Sequence, residues 1–400
     1  MRKSNSLNPR VYLTFVGICL LLSCSKSSLN SNTPASSVNS SIQPHVYGLL
    51  PVSDEEMTNI PLFTPEVLNG GKVTNGLSYS GTLPSSYLMT TPAVRDQGQI
   101  GSCTGFCGTE ANEIVKYYAK GGVIDAQPVI NSTSSAIAAV NANKFTSPTT
   151  YFGTSGALSP LFLYYVERVK IEHRSISSDP GANMVNIGQA LQGLTNNTGT
   201  GSSISPYGES TENLYPYPSS INSQGYNIAS PTSRQFRTAP GTSAISNAVS
   251  FMLGKEGGST TTSGSTTAGY YYIAGTGDVT EVNNCKYAIL NNKPVLMGFT
   301  VYDNSSYTVF EGLSTTSYVY NPLTNGSITS GLSALGGHAV PLVGYFDDGT
   351  ASTSATGGGY FIVQNSWGTP WGYHGHFLMP YSVLKSSSVV GNNNLFVLVQ

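Results

Sequence analysis

Apolar residues recur at helical spacing from Cys103 onward, through Phe106, Cys107, Ile114, Tyr117 and Tyr118, and Gly121-Gly122 supply a stop, so the pattern predicts a helix over 103–120. Gly105 and Gly108 each weaken it by about 1 kcal/mol relative to Ala, so tertiary packing has to hold it. Ser159 as a cap with Pro160 at the first helical position predicts a second helix over 160–170, and similar patterns predict helices over 184–194 and 243–253. The rest changes character. A short strand at 270–273, a helix at 279–290 and a strand at 294–302 are followed by strands at 339–345, 360–365 and 375–378. Helices early and strands late predict an α+β fold of two unlike lobes facing one another. Residues 131–156, rich in Ser, Thr, Ala and Asn, are read as a surface excursion, and 195–235 as turn-rich. Pro341 removes one ladder donor from its strand and predicts an edge position or a bulge there.

The N-terminus has its own pattern. Arg2, Lys3 and Arg10 precede an apolar run over 11–22 that ends at Ser23-Cys24. That run is too short for a lasting membrane span, which takes about 20 residues, and reads as an export signal. Its end, Leu21-Leu22-Ser23-Cys24, resembles the lipobox of bacterial lipoproteins, which implies that Cys24 becomes a lipidated first residue of the mature chain. Lipid chains in that number give stable anchoring, so the expectation is a tethered domain in the bacterial cell envelope, periplasmic or surface-exposed. Residues 1–24 are thus a signal, 25–82 a Ser- and Asn-rich spacer or short propeptide, and 83–400 the packed domain.

Composition narrows the function. Over 400 residues, 18 Lys plus Arg stand against 20 Asp plus Glu, and charged residues make up 10%. No basic stripe for nucleic acid is available. With Cys19 removed and Cys24 consumed, Cys103, Cys107 and Cys285 remain, and an odd number leaves at least one thiol unpaired. Cys107 and Cys285 are read as buried small hydrophobes in preference to a disulfide pair.

The segment Gln97-Gly98-Gln99-Ile100-Gly101-Ser102-Cys103 sets a thiol in the first turn of a helix, where free amide groups and the helix dipole favour thiolate. Such a nucleophile needs a nearby imidazole. Of five histidines, His338 in Gly336-Gly337-His338-Ala339-Val340 is the best candidate, bared on one side by two glycines and followed by a strand. His45 falls in the spacer, His173 beside a charged helix end, and His374 and His376 in a terminal hairpin region. Asn365, after the strand Phe361-Ile362-Val363 and before Ser366-Trp367-Gly368, is a station for an orienting amide with an indole to shelter it.

Together, and in this order, these segments resemble the papain-like cysteine peptidases, especially their exported bacterial members. The signatures are Gln97 to Cys103, Gly336 to Val340, and Asn365-Ser366-Trp367-Gly368 with Trp371-Gly372, and the resemblance covers roughly 83–400. It implies a two-lobed papain-like fold, with a helical lobe, an antiparallel β-barrel-like lobe and the active-site cleft between them. It also implies that Cys103 is the nucleophile, His338 its ion-pair partner and general acid, and Asn365 the acceptor that orients the imidazole. Gln97 would contribute its amide to the oxyanion hole, and Trp367 would cover the Asn365 to His338 hydrogen bond. The implied activity is hydrolysis of peptide bonds in a peptide or protein substrate, with no metal and no organic cofactor, by a monomer. The competing expectation is an inactive scaffold used for surface binding or adhesion, motivated by the many tyrosines and neutral polar loops.

Some positions depart from the family pattern. Ile100 replaces a frequent disulfide cysteine, and Thr104 replaces the usual bulky aromatic after the nucleophile, which predicts a wider cleft or a looser helix start. Asp96 and Glu110 flank the site in sequence and are read as ordinary polar positions. Residues 25–82 lack the long charged helical pattern of a typical inhibitory propeptide.

Overall fold

The computed structural model describes residues 45–58, 60–68, 82–122, 127–144, 156–193, 207–253 and 269–400. Residues 1–24, read above as an export signal ending at Cys24, lie outside the described residues. Helix α1 is Cys103–Ala119, α2 Thr133–Ala142, α3 Pro160–Tyr165, α4 Met184–Leu191, α5 Thr242–Ala248 and α6 Val279–Leu290. The strands are β1 Ser86–Leu88, β2 Gly269–Tyr272, β3 Val295–Asp303, β4 Leu323–Thr324, β5 Ser327–Ile328, β6 Ser333–Asp347, β7 Gly359–Gln364, β8 His376–Pro380 and β9 Leu395–Val399.

The predicted α+β division holds. One lobe is helical, where α1, α3 and α4 share a core that includes Cys107, Ala111, Leu163 and Ile187. The other is a seven-stranded antiparallel sheet in the order β2-β9-β3-β6-β7-β8, with β1 added to β6. Helix α1 packs along β6, and this brings its N-terminal thiol to the sheet. Gly105 and Gly108 make the approach of the helices possible. A Cβ on Gly105 would stand 2.6 Å from Pro160 O, and one on Gly108 would stand 2.6 Å from both Ile187 and Leu163. The two glycines that weaken α1 by propensity therefore let it pack closely against α3 and α4.

Helix α3 starts as predicted, with Ser159 Oγ accepting from Phe162 N–H at 3.1 Å, and it continues as a π-helical stretch, Val166–Ile171. Residues 131–144 correct the surface-excursion reading over that part, while 145–155 lie outside the described residues. Ser132 and Ser135 form a reciprocal capping box that starts α2, and Ala136, Ile137 and Val140 are buried on the sheet lobe. Pro341 lies opposite Leu296 of β3, and the β6–β7 register shifts just beyond it, between Leu342 and Gly344, so the predicted bulge is displaced along the strand. The thiols of Cys103, Cys107 and Cys285 are free and buried. Among the described residues no helix is long and apolar enough to cross a membrane.

Residues 45–58 and 60–68, which the sequence reading sets ahead of the packed domain, lie against it. Phe63 and Val67 are buried in the sheet-lobe core, Phe63 N–H donates to Tyr272 O at 2.7 Å, and residues 45–50 run as an extended strap between the lobes.

Candidate active site

The site is assembled by backbone contacts between four segments far apart in sequence. Gln97 N–H donates to Ser366 O at 2.8 Å, and the Gln97 side-chain oxygen accepts from Ser366 Oγ at 2.7 Å. These bonds tie the loop before α1 to the loop that carries Asn365 and Trp367. Tyr217 locks the same corner, donating to Gln97 O at 2.8 Å while its oxygen shares a 2.7 Å bond with Ser102 Oγ. Asp96, read as an ordinary polar position, does structural work here by accepting from Gly98 N–H and Asn227 N–H.

His338 sits on β6 opposite Phe299 of β3, fully buried. Its Nε2 lies 2.7 Å from Asn365 Oδ1. The same oxygen accepts Ser366 N–H at 2.8 Å, which fixes it as the amide's acceptor end, so Nε2 carries the proton and donates. His338 Nδ1 is left as a bare acceptor with no hydrogen-bond partner. Trp367 is fully buried, with its ring 5.0 Å from the imidazole, and covers this pair as the resemblance implied. Trp371 packs behind it and donates from Nε1 to Glu311 O at 3.2 Å.

The backbone N–H groups of Gly48, Ala339 and Thr104 face the Cys103 thiol and lower its pKa against the larger effect of burial. Ala339 adjoins His338, so the strand that carries the imidazole also reaches the thiol. Gln97, Cys103, His338 and Asn365 are thus brought to one place, at the junction of the lobes. Thr104 does not line a widened cleft. It is buried and donates from Oγ1 to Glu167 Oε2 at 2.6 Å.

One expectation changes. The thiol was expected as an anion held by the imidazole, but burial pushes the Cys103 thiol up to about 11 and the His338 imidazole down to about 4, so near neutral pH both are uncharged. The strap forms part of the cover over both groups, although its Gly48 N–H acts against burial by lowering the thiol. Leu49 N–H donates to Gly337 O at 3.0 Å, Leu50 N–H to Ala182 O at 2.8 Å, and Ala182 N–H returns a 2.9 Å bond to Gly48 O. Gly336 and Gly337, expected to bare the imidazole, instead receive the strap, since a Cβ on either would stand 2.6 Å from Tyr47 or Leu49. Gln97 Nε2 donates to Ile100 O at 2.9 Å and to the strap's Val46 O at 3.1 Å. Strap and site are thus joined by backbone hydrogen bonds at Val46, Gly48, Leu49 and Leu50.

The strap is not presented for attack. The carbonyl bound by Gln97 belongs to the peptide unit of residues 46 and 47, whereas the N–H bound by the sulfur belongs to that of residues 47 and 48. No single peptide group meets both the nucleophile and the amide donor.

Sequence reasoning missed three residues of this site, namely His45, Tyr47 and Glu311. His45 stacks on Trp367 with ring centroids 4.0 Å apart and planes 5° from parallel. Its Nδ1 lies 3.3 Å from Glu311 Oε2, and Tyr47 Oη donates to Glu311 Oε1 at 2.5 Å. The available signal was the apolar stretch Val46-Tyr47-Gly48-Leu49-Leu50 within an otherwise Ser- and Asn-rich segment. His376, by contrast, is remote from the site and buried against Lys144 and Gln364. Among the described residues no group of three or more His, Cys, Asp or Glu side chains is placed to hold a metal ion.

Comparison with known proteins agrees with this architecture. Residues 202–393 match the family model described as papain family cysteine protease, a span that includes His338 and Asn365. An uncharacterized peptidase C1-like protein of Acanthamoeba polyphaga mimivirus is 29% identical over 126 residues, covering 31% of this chain and 35% of that protein. Cathepsin C of Schistosoma mansoni is 32% identical over 136 residues, covering 32% of this chain and 25% of its own length. The chain thus spans 25 to 35% of the length of these curated relatives. In fold, the chain is similar to xylellain, a cysteine protease from Xylella fastidiosa, with a TM-score of 0.53 and 21% identity over 88% of this chain and 96% of that one.

Proposed function

We propose that this chain, of which residues 202–393 match the papain family cysteine protease model, hydrolyses peptide bonds through a thioester at Cys103 and is held latent by residues 45–50. The observation that carries the reading is the state of His338. Its Nε2–H is committed to Asn365 while Nδ1 stays bare, and the N–H of its strand neighbour Ala339 faces the Cys103 thiol.

When the strap leaves, water and the substrate's polar groups replace apolar cover. The desolvation that keeps the pair neutral is reduced, and the thiol proton passes to Nδ1. The thiolate attacks the substrate carbonyl carbon, and the oxyanion takes the Cys103 backbone N–H and the Gln97 amide proton now given to Val46. The imidazolium donates its proton to the leaving amine as the C–N bond breaks. Water then adds to the thioester, giving a proton back to His338, and the acid is released as the C–S bond breaks. Asn365 holds the ring plane throughout, and the Trp367 indole shields that bond from competing water.

The substrate is a peptide or protein segment in extended form, as the strap's own hydrogen bonds to Gly337 and Ala182 suggest, and the enzyme acts as a monomer. The lipobox-like Leu21-Leu22-Ser23-Cys24 supports a chain tethered to the bacterial envelope through lipid on Cys24. Replacing Cys24 by Ala should release the chain from the membrane fraction, and retention there would overturn the tether.

The peptidase reading is tested on the full chain carrying Gly48→Ala. This variant should hydrolyse dye-labelled casein, and a thiol alkylator or an added Cys103→Ala should abolish the activity. Equal hydrolysis with Ala at position 103 would overturn it.

A further inference from the structure

Resting on the peptidase reading above, we propose that Glu311 is a specificity-determining residue that selects a basic side chain, Arg, Lys or protonated His, in the first residues after the scissile bond. His338 must deliver its proton to the leaving amine, so the residues following the scissile bond pass beside the imidazole and the Trp367 indole that covers it. Glu311 stands on that side. Phe310, its chain neighbour, lies with its ring 5.1 Å from Trp367 and 6.2 Å from His338.

The strap shows what the position takes. His45 lies flat on Trp367 with Nδ1 3.3 Å from one Glu311 oxygen, and Tyr47 donates to the other at 2.5 Å. Both are ring-bearing hydrogen-bond donors, and they take both oxygens of a carboxylate that is 2% exposed. When the strap leaves, that carboxylate faces the groove, and a buried carboxylate without donors is unfavourable. An incoming guanidinium or ammonium restores the bonds in charge-assisted form, while its stem can lie along the vacated indole face.

Glu311 is also held in place independently of the strap. Asp303 accepts Phe310 N–H at 2.8 Å and Glu311 N–H at 2.9 Å through Oδ2, and Asn304 N–H and Val309 N–H through Oδ1. Trp371 Nε1 holds Glu311 O from the other side. The backbone that presents the carboxylate is therefore preorganised. The sequence carries few charges of either sign, so a single buried carboxylate beside the general acid is a strong local discriminator.

The test uses full chains in the Gly48→Ala background and internally quenched peptides that share one mixed sequence before the scissile bond and carry Arg, Leu or Glu in the two positions after it. With Glu311 intact, kcat/KM for Arg should exceed that for Glu by about tenfold or more, the yield of one charge-assisted bond. The ratio should fall to within about threefold in Glu311→Gln and invert in Glu311→Lys. A ratio below about threefold with Glu311 intact, or one unchanged across the three chains, overturns the assignment while leaving the peptidase reading standing. The same peptides are titrated against the Cys103→Ala, Gly48→Ala chain and its Glu311→Gln counterpart, reading Trp fluorescence. If Arg peptides bind better only with Glu311 but no chain cleaves them, the peptidase reading falls and the Glu311 site stands. Binding indifferent to the residue at 311 overturns the site.

Discussion

Gly48 of the strap and Gly101 of the loop before the nucleophile approach so closely that a Cβ on Gly48 would overlap the Gly101 carbonyl oxygen, and a Cβ on Gly101 would stand 3.3 Å from the Gly48 Cα. The overlap is with backbone, which cannot swing aside as a flexible side chain can. Gly48→Ala should therefore expel the strap without touching the catalytic side chains. The expected outcome is a rise in Cys103 alkylation by iodoacetamide at pH 7 of about tenfold or more, read by intact-mass labelling. A labelling rate equal to that of the unaltered chain would show that the strap does not guard the thiol.

Gln97 should matter to the transition state more than to binding. In the Gly48→Ala background, Gln97→Ala is expected to lower kcat by about 10²–10³ with a much smaller change in KM, the signature of a lost oxyanion donor. Ser366 Oγ loses its partner in the same variant, so a thermal melt accompanies the kinetics to separate loosening of the loop from loss of the donor. A change confined to KM would remove Gln97 from this role.

Thiol reactivity should report the strap through its pH profile. In the closed chain the thiol is raised to about 11, so labelling should climb about tenfold per pH unit up to that region, because only thiolate reacts. In Gly48→Ala the rise should begin at least about two units lower, as water and the His338 Nδ1 both reach the sulfur. Superimposable profiles for the two chains would contradict the account.

Glu167 gives a stability prediction whose sign is fixed. Burial raises its carboxyl from 4.5 to about 8, so the folded chain holds a proton that the unfolded chain has lost. That contribution is complete below pH 4.5 and disappears as pH rises through about 8. Glu167→Gln removes this dependence and keeps an acceptor for Thr104 Oγ1. Between pH 5 and pH 8 the variant should gain at least about 1 kcal/mol on the unaltered chain, seen as a smaller fall in Tm. The slope should not vanish, because Glu110 and Glu209 are raised to about 8 by the same burial. Parallel melting curves across that pH range would mean that Glu167 is not a buried proton holder.

The sequence made the frame of the site legible because Cys103 sits at a helix start and Asn365 just past a strand end, while Gln97 and His338 stand beside glycines in short segments of strong local character. Helix α6 coincides with its predicted range, 279–290, and α3 begins at the Ser159-Pro160 cap. Helix α2 was missed because its stripe is only Ala136, Ile137 and Val140, and its start rests on two serines, a composition shared with loops. Strand β9 was missed because five apolar residues after a run of asparagines carry no alternation when both faces are buried. The strap was missed for a different reason. An extended segment that pairs with two walls from opposite sides has no period of its own, and its partners Ala182, Gly337 and Glu311 are visible only once the chain is folded. The burial that keeps Cys103 and His338 uncharged in the closed chain is invisible in the sequence for the same reason, since it depends on what lies over them.

Strand β9 lies between β2 and β3 and follows both of them, and every other strand, along the chain. The middle of the sheet therefore stays open until 395–399 have been synthesised, and His338, two strands away, has no finished support before then. Strap residues 45–50 leave the ribosome long before the nucleophile they cover and longer still before the imidazole is fixed. If the proposed latency holds, the guard is in hand before the weapon is assembled, and a newly made chain should have no interval in which an uncovered site could attack its neighbours.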